Sequence, residues 1–293
     1  PLAIGGSPSL PCVQQAINHC DLLIAIGTEF SETDYDLLMA QPLARQGHLL
    51  RIDIDARQVP CNQRADVPLV GRAAAWVPAL NRAVDRAHKR GGHHRAATLR
   101  EAITREPHFH PDMARLFAAL GRAHPNLTVV GDSTRPTYYA TWHYEPPAPR
   151  RYFHSVTGFG TLGYAIPAAM GARAGTNGPV LALIGDGGAQ FTLPEFATAL
   201  DNDLSVTFAI WCNRGYEEIE NSLQGRGVSN RSTDISAPDF ARIGAAYGMS
   251  VYQPANWDDL ESDLQRALGE DRPNLLLLQQ ADFVSQPSGQ WYG

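Results

Sequence analysis

The sequence predicts an α/β protein of two domains, each a parallel sheet flanked by helices. Three observations lead there. Short apolar runs alternate with amphipathic helical patterns along nearly the whole length. In the second half those runs are continuous rather than alternating, as expected of strands covered on both faces. The length of 293 residues matches two domains at roughly 150 residues each.

In order, DLLIAIG (21–27), LLRIDID (49–55) and the weaker ADVPLVG (65–71) read as strands, with a helical pattern over 73–87. Together 1–85 form one α/β unit, the back part of a larger domain. RAHKRGGHHR (86–95) is polar and basic, and 86–108 is expected to be a linker. His88, His93 and His94 fall there with no carboxylate or cysteine at ligand spacing, so a solvated segment outweighs a metal site. The second domain fills 109–293. Asp112 is the expected N-cap of the helix MARLFAALGRA. There follow strand 127–132, helix 163–175, strand 180–186, helix 194–203, strand 205–213, helix 240–248 and strand 274–280.

Charge and composition narrow the classes. A net charge of −6 speaks against nucleic acid as the main partner, since phosphate binding needs a basic surface. No apolar run reaches the roughly 18 residues that span a membrane. Pro1-Leu2-Ala3 opens the chain without a charged n-region or an apolar h-region, so a piece of a longer cytoplasmic polypeptide is expected. Cys12, Cys20, Cys61 and Cys212 form no CxxC pair and are read as reduced thiols.

In open parallel sheets ligands bind beyond the carboxyl ends of the strands. Three such ends carry polar or Gly-rich turns: Gly131-Asp132-Ser133-Thr134, Gly185-Asp186-Gly187-Gly188 and Cys212-Asn213-Arg214-Gly215-Tyr216. Gly187 and Gly188 let backbone N–H groups approach an anion. A carboxylate beside a phosphate would repel it unless Mg²⁺ stood between them, because Mg²⁺ joins one or two protein oxygens to phosphate oxygens. Asn213 offers a neutral amide oxygen to the same ion, and Gly215 a carbonyl. The implied ligand is a diphosphate held through a metal. A plain strand-to-helix turn is the competing reading of GDGG alone. Asn213 standing 27 positions after Asp186, at the end of the next strand, is the more specific signal.

GDGG followed by Asn after an apolar strand resembles the thiamine-diphosphate-dependent 2-oxo acid decarboxylase and acetolactate synthase superfamily. GFGTLGYAIPAAMGA (158–172) is similar to the family segment beside the cofactor. The resemblance implies a Rossmann-like central domain, partial here, followed by the thiamine-diphosphate-binding fold. It makes Asp186, Asn213 and the Gly215 carbonyl the Mg²⁺ ligands. Gly185, Gly187, Gly188, Ser133, Thr134 and Tyr216 would meet the cofactor. The Gly160 carbonyl would receive the 4′-amino group, and Leu162 would wedge under the cofactor and bend it. IAIGTEFSETDYD with LLRIDID resembles the central domain, which binds FAD in some relatives; a structural role is expected here.

Two departures stand out. Cys212 occupies the first position of the usual Asn-Asn pair, where a neutral buried thiol is expected. The family's first domain, which binds the thiamine pyrimidine and supplies the activating glutamate, has no counterpart, so no catalytic residue is assigned in this chain. The resemblance further implies a homodimer or homotetramer acting on a small 2-oxo acid. Some decarboxylases of the family carry a glutamate where this chain has Ile219, so an acid relay at that position is not expected. Glu217 and Glu218 read either as a solvated helix face or as a receptor for a cationic tail. GTEFSETDYD and GDST look most like the 5-guanidino-2-oxopentanoate decarboxylase branch. The competing readings are an acetolactate-synthase-type carboligase and a non-catalytic binding or assembly chain that keeps the fold. A nucleotide-binding oxidoreductase is disfavoured because no GxGxxG follows the first strand.

Overall fold

The computed structural model describes residues 4, 8–31, 43–84, 91–106, 109–156, 158–225, 227–228 and 232–285. Residues 1–3, the 32–36 part of GTEFSETDYD, and His88 lie outside them. The chain divides into two compact units, 1–109 and 110–293.

The first unit holds a parallel sheet of order β1–β2–β3, made of Leu22–Ile26, His48–Asp53 and Val67–Val70. All three fall inside or within one residue of the runs read from the sequence. Among its described residues are helices α1 (Pro11–Asn18), α2 (Ala73–Ala83) and α3 (Gly92–Ile103). Arg51, in the middle of β2, is fully buried. Its guanidinium donates to the carbonyls of Thr28 (2.8 Å), Val59 (3.2 Å) and Cys61 (2.6 Å) and lies over the Phe30 ring. Burying a charge is costly unless its donors are met; here backbone carbonyls meet both terminal nitrogens, though not Nε, and tie the loop after β2 to the sheet.

The stretch 86–108, read as a linker, contains α3. Ala96 and Ile103 are buried, the helix packs on α1, and the Glu106 carboxylate accepts from the Cys12 amide at 2.9 Å. Ala96, Leu99 and Ile103 share one helix face by their spacing of three and four. The run of Gly, His and Arg at the helix start hid that narrow stripe. His93 and His94 are exposed.

The second unit is a six-stranded parallel sheet of order β5–β4–β6–β7–β9–β8. Its strands are β4 Thr128–Gly131, β5 Tyr152–His154, β6 Val180–Gly185, β7 Val206–Cys212, β8 Ser250–Tyr252 and β9 Asn274–Gln279. The helices are α4 Pro111–Ala123, α5 Arg135–His143, α6 Ala165–Gly175, α7 Asp186–Ala189 and α8 Glu195–Asp201. Then come α9 Glu217–Gly225, α10 Phe240–Ala246, α11 Trp257–Leu268 and α12 Gln280–Phe283. Strand β7 is buried at all seven positions and β6 at its first five, as their unbroken apolar character requires. Phe196 of α8 and Phe208 of β7 meet at 4.9 Å between ring centroids, in a core that also takes Ile166, Ile184 and Leu277.

The N-cap of α4 is His110, not Asp112. Pro111 takes the first helical position, where its fixed φ is already helical and its missing N–H costs nothing. Asp112, inside the first turn, accepts instead from the backbone and hydroxyl of Ser285 at 3.0 and 2.9 Å.

From β4 the chain passes to β5 on one side and then to β6 on the other. This reversal opens a crevice at the carboxyl ends of β4 and β6, where ligands of such sheets bind.

Candidate cofactor and metal site

A cavity of about 170 Å³ occupies that crevice. Three neighbouring strand ends build it: β4 leads into Ser133 and Thr134, β6 into Asp186, and β7 into Asn213. Pairing of Gly185 with Trp211 sets β6 and β7 in register, so Asp186 and Asn213 leave the sheet side by side. Every site residue read from the sequence lines the cavity: Ser133, Thr134, Gly160, Leu162, Gly185, Asp186, Gly187, Gly188, Asn213, Gly215, Tyr216, Glu217, Glu218 and Ile219. Arg135 and Tyr138, from the first turn of α5, line it as well and were missed. The signal was available: Arg135 follows the GDST turn directly, where an N-terminal helix residue faces the same strand ends.

The glycines leave room that side chains would fill. A Cβ on Gly187 would lie 2.5 Å from the Tyr216 ring, and one on Gly188 would lie 2.8 Å from Asp132 Oδ1. Gly160 adopts φ +60°, a conformation that costs other residues energy.

Asp186 is buried. Its Oδ1 accepts from Gly187 N at 2.8 Å and its Oδ2 from Arg214 N at 2.6 Å. Among the described residues no Lys, Arg or His pairs with it. Burial raises its pKa, opposed by the backbone N–H groups. A buried carboxylate without a cation is a fit partner for a metal ion. Asn213 Oδ1 accepts from Gly215 N at 3.3 Å, and the Gly215 strand segment bridges to Asp234. Carboxylate, amide oxygen and backbone carbonyl form a hard, oxygen-only donor set that suits Mg²⁺ completed by phosphate oxygens. Among the described residues no three His, Cys, Asp or Glu cluster as a metal site, so a protein-only cage is not formed.

Asp132 is fully buried and caps α6, accepting from Gly163 N (3.3 Å) and Ala165 N (2.9 Å). It thereby fixes the segment carrying Gly160 and Leu162 against the end of β4. Ser133 Oγ meets Ser155 Oγ at 3.0 Å.

The two glutamates differ sharply. Glu217 pairs with buried Arg135 and accepts from Asn213 Nδ2 and Gln280 Nε2, each at 3.0 Å. Both Glu218 carboxylate oxygens are buried and accept no hydrogen bond among the described residues. Burial pushes the Glu218 carboxyl up to about 7; Arg135 lowers it and Glu217 raises it. Cys212 is buried, and burial raises its thiol to about 12, which keeps it protonated. A second cavity, of about 270 Å³, lies on another side of Asp186, lined by Cys212, Arg214, Asp239, Gln253 and Gln279.

Residues 130–277 match the family described as thiamine pyrophosphate enzyme, C-terminal TPP binding domain. The chain belongs to the thiamine pyrophosphate enzymes. Residues 1–80 match the central domain of the same enzymes. The chain is similar to a Pseudomonas aeruginosa protein named "Probable 2-ketoarginine decarboxylase AruI", 32% identical over 96% of this chain and 51% of that protein. It is similar to a "Probable acetolactate synthase large subunit" of Methanocaldococcus jannaschii, 26% identical over 98% of this chain and 50% of the relative. The Escherichia coli acetolactate synthase isozyme 3 large subunit is 28% identical over 89% and 47%. The chain thus spans about half the length of the curated relatives it matches.

Proposed function

We propose that this chain forms the diphosphate- and Mg²⁺-binding part of a thiamine-diphosphate-dependent enzyme that decarboxylates a 2-oxo acid with a cationic tail, 5-guanidino-2-oxopentanoate. One observation carries the reading: Asp186, Asn213 and Gly215 meet Gly187 and Gly188 in a single cavity at two adjacent strand ends. In this reading the three oxygen donors hold Mg²⁺, and the two glycines admit the diphosphate. Bound thiamine diphosphate supplies the nucleophilic carbon that adds to the 2-oxo carbonyl and accepts the electrons left when CO₂ departs. The chain's own residues bind and orient it. Ser133 and Thr134 border the cofactor, Gly160 offers its carbonyl, and Leu162 supports the bend.

The tail is assigned from the glutamates. Glu217 has both oxygens engaged, whereas Glu218 has acceptors without donors. A guanidinium would supply two donors and a charge to that carboxylate. The name of the Pseudomonas relative supports the same substrate.

A covering domain belongs to the proposal. Phe159, next to Gly160, is wholly exposed, and Ile219 is 52% exposed at the cavity wall. An apolar rim of this kind suits coverage by another domain. The resemblance implies a thiamine-pyrimidine-binding domain carrying the activating glutamate, supplied within a homodimer or homotetramer. FAD is not part of the proposal. A cytoplasmic location accords with four free cysteines.

The second reading is an acetolactate-synthase-type carboligase, favoured by apolar Ile219 and by the acetolactate synthase relatives. Product analysis separates the two: decarboxylation releases an aldehyde, and carboligation a 2-hydroxyketone. Asp186→Ala is expected to abolish Mg²⁺-dependent binding of thiamine diphosphate, measured by calorimetry. Undiminished binding would remove the metal assignment.

A further inference from the structure

Donor and acceptor inventory around Glu217 fixes more than an ion pair. Five side chains, from β7, the turn after it, α5, α9 and α12, form one network. Trp211 Nε1 donates to Gln280 Oε1 at 2.8 Å, and Gln280 Nε2 donates to Glu217 Oε2 at 3.0 Å. Arg135 donates to Glu217 Oε1, and Asn213 Nδ2 donates to Glu217 Oε2 at 3.0 Å. Amide ends of Asn and Gln are normally hard to tell apart. Here the logic is closed. An indole N–H and a guanidinium can only donate, and an ionised carboxylate can only accept. Trp211 therefore holds the Gln280 oxygen toward itself and leaves its NH₂ to Glu217. Glu217 in turn must face the NH₂ of Asn213. The Asn213 oxygen is left on the other side, beside the Gly215 amide.

We infer that Glu217 is a positioning residue that locks the Asn213 amide with its oxygen toward the metal. This inference rests on the proposed role of Asn213 as a Mg²⁺ ligand. It takes Glu217 out of the substrate contact and places it behind the metal site. Groups that orient ligands in this way typically change metal affinity about 10- to 100-fold when altered.

Glutamine is the informative replacement. In Glu217→Gln the amide oxygen turns toward the Arg135 cation, and the new NH₂ confronts the NH₂ groups of Asn213 and Gln280. Asn213 must then flip and present a donor to the metal. The probe is Mn²⁺ with thiamine diphosphate, its free concentration read by electron paramagnetic resonance on the full chain. Glu217→Gln is expected to weaken Mn²⁺ binding by at least about tenfold. In an Asn213→Asp background the sign reverses. A carboxylate there needs no orienting and is repelled by Glu217, so adding Glu217→Gln should leave Mn²⁺ affinity unchanged or raise it. A merely structural role would weaken binding in both backgrounds.

If Glu217→Gln fails to fold, Arg135→Met/Glu217→Gln decides. Without the cation the amide oxygen can turn to Asn213 and Gln280, and a buried ion pair replaced by neutral groups is commonly tolerated. Mn²⁺ affinity within about threefold of the parent is expected from the restored acceptor; a loss of tenfold or more overturns the inference. Parent chain that binds Mn²⁺ while Glu217→Gln binds it equally well overturns this inference alone. Parent chain that fails to bind Mn²⁺ with thiamine diphosphate overturns the metal assignment and this inference with it.

Discussion

Glu218 and Glu217 are adjacent in sequence and opposite in circumstance. Glu218 is buried among Arg135 and Tyr138 of α5 and Glu217 of its own helix, with its pKa raised to about 7. Its folded pKa lies above the unfolded value, so the folded state holds the proton more tightly. Stability is therefore lost as pH rises between the ordinary carboxyl value of 4.5 and about 7. Glu218→Gln should stabilise the chain at pH 8 by up to roughly 3 kcal/mol, and little at pH 4. Urea unfolding at the two pH values checks this; equal effects would contradict it. The same variant should lower kcat/KM for the guanidino acid about 10- to 100-fold and spare an uncharged 2-oxo acid. With the native residue, kcat/KM for the cationic substrate should rise as pH climbs through about 7, because the ionised carboxylate is the proposed receptor. Stability given up for a binding group is common at functional sites. The sequence offered both glutamates alike, as a solvated helix face or as a receptor for a cationic tail. It could not separate them, because Arg135 and Gln280 come from distant segments.

At the scale of elements, Asp132 and α6 are coupled. The carboxylate reaches two amides at the start of the helix and also sits where a Gly188 side chain would stand. Asp132→Ala should cost about 2–3 kcal/mol from lost charge-assisted bonds at a helix start, read as a lowered unfolding midpoint. Gly188→Ala should disturb the same contact and weaken thiamine diphosphate binding; a variant with native affinity would show that the contact gives way. Long apolar strands such as β6 and β7 were legible because their burial is continuous. Strands β5 and β8, three residues each, were not, since so short a run has no period to read. Helix α11 was legible in principle. Asn256 accepts from Asp258 N and Asp259 N, and Leu260, Leu264 and Ala267 share its buried face. Helix α3 was missed for the opposite reason, a weak stripe behind a polar start.

For the whole molecule, the two units differ in how they close. The second unit carries its own core, from Val130 to Leu277. Residues 110–293 expressed alone should unfold in one cooperative transition, and Phe208→Ala should cost it about 3–5 kcal/mol. A broad, non-cooperative melt would contradict an independent core. In the first unit Leu22, Ile24 and Ile26 on one face of β1 are each 44–46% exposed. The alternation of fold class and the strand-end rule made the second unit's site readable. Nothing local in the sequence reveals that β1 leaves one face open, because exposure depends on what packs there.

The register between β6 and β7 gives the motif a different meaning. Gly185 lies opposite Trp211, so the proposed metal ligands are held together by a ladder and not by the 27 positions that separate them. The intervening count is then a neutral quantity, free to drift between related proteins. A few residues inserted at the Asn202–Asp203 turn, both exposed, should leave Mn²⁺ affinity untouched. A one-residue slip within β7 would instead carry Asn213 to the far face of the sheet. A search for kindred sites should accordingly weigh which strands are neighbours above how far apart their signature residues stand.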